Sequence, residues 1–310
     1  MNGLDYIKSK QRSWASRKNF ELLGGTIPDK GEKNYLGKLE NNLFQPLTAE
    51  TLFRFENGDG NETADSNSRL AKMKALHSSS AIVVNTFQYW HDKDVFPILY
   101  ACKLCSKQPS GVDIMYENIG SNQPKVFSIS RNPLANKIKF EEKFKISNDT
   151  KTFPFPPNID IVVGNFQPRI YAIESKFTEP YRGKPNGISQ KYLDNVSFWN
   201  GLPELQKLAE EICPDNEKYQ YLDVAQLLKH ILGLKIKHNK SGFRLLYLWY
   251  DVIGQSGAEH RKEIEQFAEV AKKDNIKFSH ITYQEVIMKL TQEFYVGNEK
   301  YCNYLTERYV

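Results

Sequence analysis

Residues 157–177 read PNIDIVVGNFQPRIYAIESKF, and this stretch decides the fold. Two apolar segments, Ile159 to Val163 and Arg169 to Phe177, flank a polar turn from Gly164 to Pro168. β-Branched and aromatic runs bounded by Gly, Asn and Pro read as the two strands of a hairpin. Side chains alternate along a strand, so Ile170, Ala172, Glu174 and Lys176 share a face. At a rise of ~3.3 Å per residue, the Glu174 and Lys176 backbones lie about 6.6 Å apart on that face. The hairpin brings Asp160 within reach of both.

Carboxylates converging from neighbouring strands suit a hard divalent cation such as Mg²⁺, which prefers oxygen ligands. Such a cation activates a water and neutralises charge on a transferred phosphoryl group. A lysine facing the same phosphate stabilises the charge that develops. Asp160 and Glu174 are therefore candidate metal ligands, and Lys176 is a candidate catalytic residue. Glu-x-Lys is also a common solvated pair on exposed strands. The apolar context of this strand is what favours a site.

Upstream, KIKFEEKFKI (137–146) alternates as a strand. The period places Ile138, Phe140, Glu142, Phe144 and Ile146 on one face, with the lysines and Glu141 on the other. Glu142 is then the sole acid on an apolar face. A buried carboxylate without a partner is costly, so Glu142 joins the candidate catalytic residues.

Downstream, the loop EPYRGKPNG (179–187) carries Arg182 and Lys184. The stretch YLDVAQLLKHILGL (221–234) reads as a helix over 222–232 ending at Gly233. Val224, Leu227, Leu228 and Ile231 form its apolar stripe, with Gln226 and His230 along one edge. FRLLYLWY (243–250) reads as a strand buried on both faces. An amphipathic helix (260–273), a short strand (277–283) and a closing helix (284–294) complete the pattern. Before the centre, residues 68–90 carry a helical period, and the serines at 78–80 either cap a second helix or break a continuous one. Residues 1–67 are polar and turn-rich, with too few apolar residues for a core of their own. They are expected to form an arm or cover on a domain spanning 68–310. NGDG (57–60) reads as a tight turn, and GVDIMYENIGSNQPK (111–125) as irregular.

The 310 residues include 17 Tyr, 18 Phe and 4 Trp, enough to exclude global disorder. No run reaches the ~18–20 apolar residues of a membrane helix, and no signal-peptide core is present. A soluble, cytoplasmic protein is expected. Four cysteines are too few for a disulfide framework in a chain of this length. Cys102 and Cys105 form a CxxC without the second ligand pair that structural zinc requires. The net charge is +5, and basic residues concentrate at 8–18 and 224–250 without any acid. Such clusters suit sequence-independent attraction to phosphates, as they also suit a solvated face.

PPNID through Asp160 and AIESKF through Glu174 and Lys176 resemble the PD-(D/E)xK nuclease superfamily, in particular a poorly characterised bacterial restriction-endonuclease-like family. The resemblance covers roughly residues 70–290. It implies an α/β fold with a restriction-endonuclease-like core, a central mixed sheet flanked by helices in the order αβββαβ, with an N-terminal extension. It implies that Asp160 and Glu174 bind Mg²⁺, with Mn²⁺ able to substitute, and that Lys176 is the catalytic lysine. Gln226 and His230 fall where related nucleases carry Gln-x-x-x-Tyr, so His230 replaces the Tyr. Many members place an acid on the first core helix. Residues 68–91 contain none, and Glu142 is the substitute. The expected activity is DNA phosphodiester hydrolysis of a restriction or defence type, with double-stranded DNA as partner. A homodimer would suit a double-strand cut. Arg182, Lys184, Lys229 and His230 are candidate nucleic-acid contacts. The alternative is a nuclease fold that binds nucleic acid without cutting it.

Overall fold

A computed structural model describes residues 2–57, 62–106, 138–164 and 170–310. Residues 58–60 of NGDG, residues 111–125 and residues 165–168 of the central turn lie outside the described residues. In chain order the elements are α1 (Gly3–Arg17), β1 (Leu22–Leu23), β2 (Tyr35–Leu36), α2 (Ala49–Glu56), α3 (Ser79–Phe87) and α4 (Phe96–Ala101). They continue with β3 (Ile138–Lys143), β4 (Asn158–Val163), β5 (Ile170–Lys176), α5 (Pro203–Glu211), α6 (Val224–His238) and β6 (Phe243–Trp249). The chain closes with α7 (Gln255–Lys273), β7 (Phe278–Thr282), α8 (Tyr283–Glu293) and α9 (Glu299–Tyr309).

Five strands form a mixed sheet in the order β3-β4-β5-β6-β7. The first three are antiparallel neighbours, while β5, β6 and β7 run parallel. The fold is α/β, with helices on both faces. Strand β6 shows why both faces are covered. Its residues Phe243, Leu245, Tyr247 and Trp249 join one apolar core, and Leu246 and Leu248 join the other. Burial on both sides makes the strand an unbroken apolar run. The first core also gathers α3, α4, α8 and α9, and the second gathers α5, α6 and α7.

Helix α6 runs five residues past its expected end, to His238, and Asn239 at φ 58° follows it as C-cap. Gly233 is therefore inside the helix. A Cβ there would stand 2.7 Å from the Phe144 carbonyl oxygen, so this glycine permits close approach of α6 to the chain leaving β3. Helix α3 begins only at Ser79, and the Ser78 hydroxyl caps it by accepting from Ala81 N at 3.2 Å. Residues 72–74 form a single 3-10 turn in place of a continuous helix.

The polar start of the chain contains a helix the composition concealed. In α1, Ile7, Gln11, Trp14 and Ala15 are buried, at spacings of four, three and one. This face lies against α9, where the Arg308 guanidinium sits 4.2 Å from the Trp14 ring centroid. The basic run at 8–18 is largely engaged within the molecule. Lys8 and Arg12 pair with Glu32, Lys18 pairs with Glu307, and Arg17 donates to the Glu307 carbonyl. The second basic segment is similar, with Lys235 and Lys240 bonded to carbonyls of residues 198, 200 and 201. Cys102 and Cys105 are buried in the first core. Among the described residues, no helix is long and apolar enough to cross a membrane.

Candidate active site

The register of the β4–β5 hairpin pairs Ile161 with Ile173 and Val162 with Ala172. Next along the two strands come Asp160 and Glu174, and the Glu174 charge acts on the Asp160 carboxyl. Asp160 Oδ2 accepts a hydrogen bond from Ser175 N at 2.7 Å. Glu174 and Lys176 follow Ala172 on the α6 side of β5, and both are buried. Lys176 Nζ donates to Glu174 Oε1 at 2.6 Å.

His230 approaches the same carboxylate from α6, its Nε2 3.0 Å from Glu174 Oε2. The approach is out of line for a hydrogen bond. Glu174 Oε2 and both ring nitrogens of His230 are buried without a hydrogen-bond partner. The two residues are each 1 % exposed. A buried acceptor left in this state is unfavourable, so the contact is one of proximity, with an oxygen lone pair still to satisfy.

The charges are strongly coupled. Burial raises the Glu174 pKa, but Lys176 and His230 more than offset it and hold the carboxyl at about 2. Burial would lower the Lys176 pKa, yet Glu174, Asp160 and Glu179 together raise it. Asp160 shifts the other way. Burial, and then the Glu174 charge, push its carboxyl well above the usual carboxylate range. Two interacting carboxylates with opposed shifts form a centre that attracts a proton or a cation to Asp160.

Glu142 does not share this arrangement. It pairs with Arg54 of α2 at 3.0 Å. The alternation that placed it on one face with four apolar residues is broken. Ile138 and Phe140 enter the first core, whereas Phe144 and Ile146 enter the second. Glu141, at φ 54°, lies where the strand changes sides. It is Glu141 that interacts electrostatically with Asp160, raising its pKa. A period-two count cannot register a left-handed residue inside a strand.

The other expected residues fall in three places. His230 is almost fully buried, with its Nε2 3.0 Å from Glu174 Oε2. Gln226 and Lys229 line a cleft that His230 shares. Arg182 is exposed, and Lys184 pairs with Glu217 on the surface at 2.7 Å. Asp223 caps α6 by accepting from Gln226 N at 2.8 Å.

Sequence reading missed Glu179. Its Oε2 accepts from Phe177 N and Thr178 N, both at 2.9 Å. Burial raises its pKa, but Lys176 and Ser79 reverse the shift. Its place just after ESKFT was the available signal. Tyr283 was also missed, and its hydroxyl lies 2.6 Å from Ser175 Oγ behind the strand. On the opposite face of the sheet, His260 Nε2 meets the Tyr247 hydroxyl at 3.0 Å.

Among the described residues, no group of three or more His, Cys, Asp or Glu side chains is arranged to hold a metal ion. No curated protein and no solved structure matches the chain. One family model does match, over residues 8–310, and its description is Restriction Endonuclease associating with ARP. The match takes in nearly the whole chain, including most of α1, the five-stranded sheet and α9, so the protein belongs to this restriction-endonuclease-associated family, REase-ARP.

Proposed function

We propose that this protein is a metal-dependent nuclease of the PD-(D/E)xK type that hydrolyses DNA in a restriction or defence role. The family points to a nuclease or defence-type role with nucleic acid as substrate. The finer reading rests on one observation. Glu174 Oε2 is buried and lacks a hydrogen-bond partner, while the interacting carboxyl of Asp160 has raised proton affinity.

That donor set fits a hard divalent cation. Asp160 and Glu174 would hold Mg²⁺, or Mn²⁺ in its place. Mg²⁺ is commonly bound by one or two carboxylates while keeping several waters, so a third protein ligand is not required. When bound, the cation supplies activation of water and neutralisation of phosphoryl charge. The remaining work belongs to the chain. Lys176 presents its ammonium at the phosphate and stabilises negative charge as it builds. His230 packs against the Glu174 carboxylate from α6, its Nε2 3.0 Å from Oε2. Glu179 fixes the turn after Lys176 through its two backbone bonds.

The second reading is binding without cutting. It draws on the lack of a three-residue ligand group among the described residues and on the closed Lys176–Glu174 pair. Incubation with supercoiled plasmid and single-stranded DNA, with Mg²⁺ or with EDTA, separates the two. Mg²⁺-dependent cleavage lost in Glu174→Gln and Lys176→Ala supports hydrolysis. Binding without cleavage at any divalent cation supports the second reading.

A further inference from the structure

A cleft of about 390 Å³ opens beside the acidic centre, walled by the 153–158 segment on one side and α6 on the other. Its volume lies within the ~300–1,000 Å³ typical of small-ligand sites. The walls combine three kinds of group. Phe155 stands 80 % exposed between Pro154 and Pro156, and Tyr192 lies opposite the same segment. Asn158 and Gln226 supply amides, and Lys229 supplies a cation. His230 closes the inner end.

Two of these groups point to a missing ligand. His230 Nδ1 and Asn158 Oδ1 are both buried without a hydrogen-bond partner. Buried polar atoms of this kind normally have a partner. A large aromatic left exposed in a proline-stiffened segment is likewise poorly explained by packing, because it contributes little to either core.

We infer that this cleft receives one unpaired nucleotide of the nucleic-acid strand whose neighbouring phosphate lies at Glu174 and Lys176. The base stacks on Phe155, the Asn158 and Gln226 amides face its polar edge, and Lys229 meets the backbone. A base needs a π-surface and hydrogen-bonding edges, and a phosphate needs a cation. A duplex is too wide to enter, so the nucleotide comes from a single strand or is extruded from a helix. His230 lines the cleft and also lies 3.0 Å from Glu174, which joins base recognition to the acidic centre. The inference rests on the nuclease reading only for the identity of the bound strand.

The test measures binding separately from cleavage. Fluorescein-labelled oligodeoxythymidylate and a blunt duplex of equal length are titrated with the full chain in EDTA, followed by anisotropy. Phe155→Ala is expected to weaken single-strand binding by about tenfold or more, the scale of one lost base stack. Its effect on duplex binding is expected to be below twofold by the same reasoning, since a paired base does not reach the ring. Because Phe155 is 80 % exposed, its replacement leaves the cores intact. Lys229→Ala supplies a second variant, expected to weaken the single strand and to reduce its salt dependence. Single-strand affinity unchanged in both variants overturns the inference, as does an equal loss for strand and duplex. Phe155-dependent binding in a protein that never cleaves with Mg²⁺ would uphold the cleft and remove the nuclease reading. Cleavage with Phe155-independent binding would do the reverse.

Discussion

Lys176 Nζ donates to Glu174 Oε1 at 2.6 Å, two residues along one face of β5. The pair is buried where β5 lies between β4 and β6, with Glu174 beside Tyr247 and Lys176 beside Trp249. A buried ion pair broken by removing one partner loses ~3–5 kcal/mol, because the remaining charge is left uncompensated. Lys176→Ala is therefore expected to lower the urea midpoint as well as to slow cleavage by roughly 100–1,000-fold. The double variant Glu174→Gln, Lys176→Met should recover most of the stability and none of the cleavage. A single variant as stable as wild type would show that the pair is not buried in solution.

Glu142 gives a contrasting outcome. Its carboxylate meets Arg54, at the seam between α2 and β3. Glu142→Gln is expected to leave plasmid cleavage within about threefold of wild type, far from the loss of ~100-fold that removal of a transition-state contact brings. Cleavage rates for the two proteins at saturating Mg²⁺ decide the matter.

His260 sets an acid limit on stability. Burial, and then the charges of Lys176, Arg261 and His280, depress its pKa to about 3. Its ordinary value of ~6.5 applies in the unfolded chain. The unfolded state therefore binds the proton first. Stability is full above that ordinary value, and falls by up to ~1.4 kcal/mol per pH unit as the pH drops toward the folded value. Urea midpoints between neutrality and pH about 4 should decline, and His260→Gln should flatten that decline. An unchanged slope in the variant would remove His260 as the cause.

Gly233→Ala tests the packing of α6. Alanine raises intrinsic helix propensity by ~1 kcal/mol over glycine. The added Cβ meets the Phe144 carbonyl oxygen at 2.7 Å, a backbone atom that cannot swing away. Overpacking of this kind costs ~1–3 kcal/mol, so the net effect is expected to be destabilising in a denaturant titration. A stabilised variant would mean that α6 stands further from the sheet.

Arg308 ties the first part of the chain to the last helix. Its guanidinium is 1 % exposed, donating to Gln11 Oε1, the Asn42 carbonyl and the Leu76 carbonyl at 3.1, 2.8 and 3.3 Å. Arg308→Ala strands these buried neutral acceptors, at a cost of ~1–3 kcal/mol for each one left unsatisfied. Arg308→Lys should not restore the loss, because a single ammonium cannot reproduce the fork. Limited proteolysis of the segment before residue 57 offers an independent readout of the same tie.

The sequence by itself determined the strands of the sheet, most of the later helices and the closeness of Asp160, Glu174 and Lys176. The two-residue period along β5 left one face assignment for Glu174 and Lys176, and the adjacent strand β4 brought Asp160 close to both. It also specified α6, although Gly233 looked like its end, because a glycine needed for close approach and one needed for a C-cap are the same letter. Helix α1 was hidden among charges whose partners, Glu32 and Glu307, lie far along the chain. The tertiary structure alone decided which acids gather. Glu141 bends β3 through a left-handed residue and exchanges the faces, sending Glu142 to Arg54. His230 becomes part of the acidic centre only because α6 packs on β5 and β6. Periodicity reports which way a side chain leaves its own element. What it meets there depends on the register and approach of other elements, which only packing fixes.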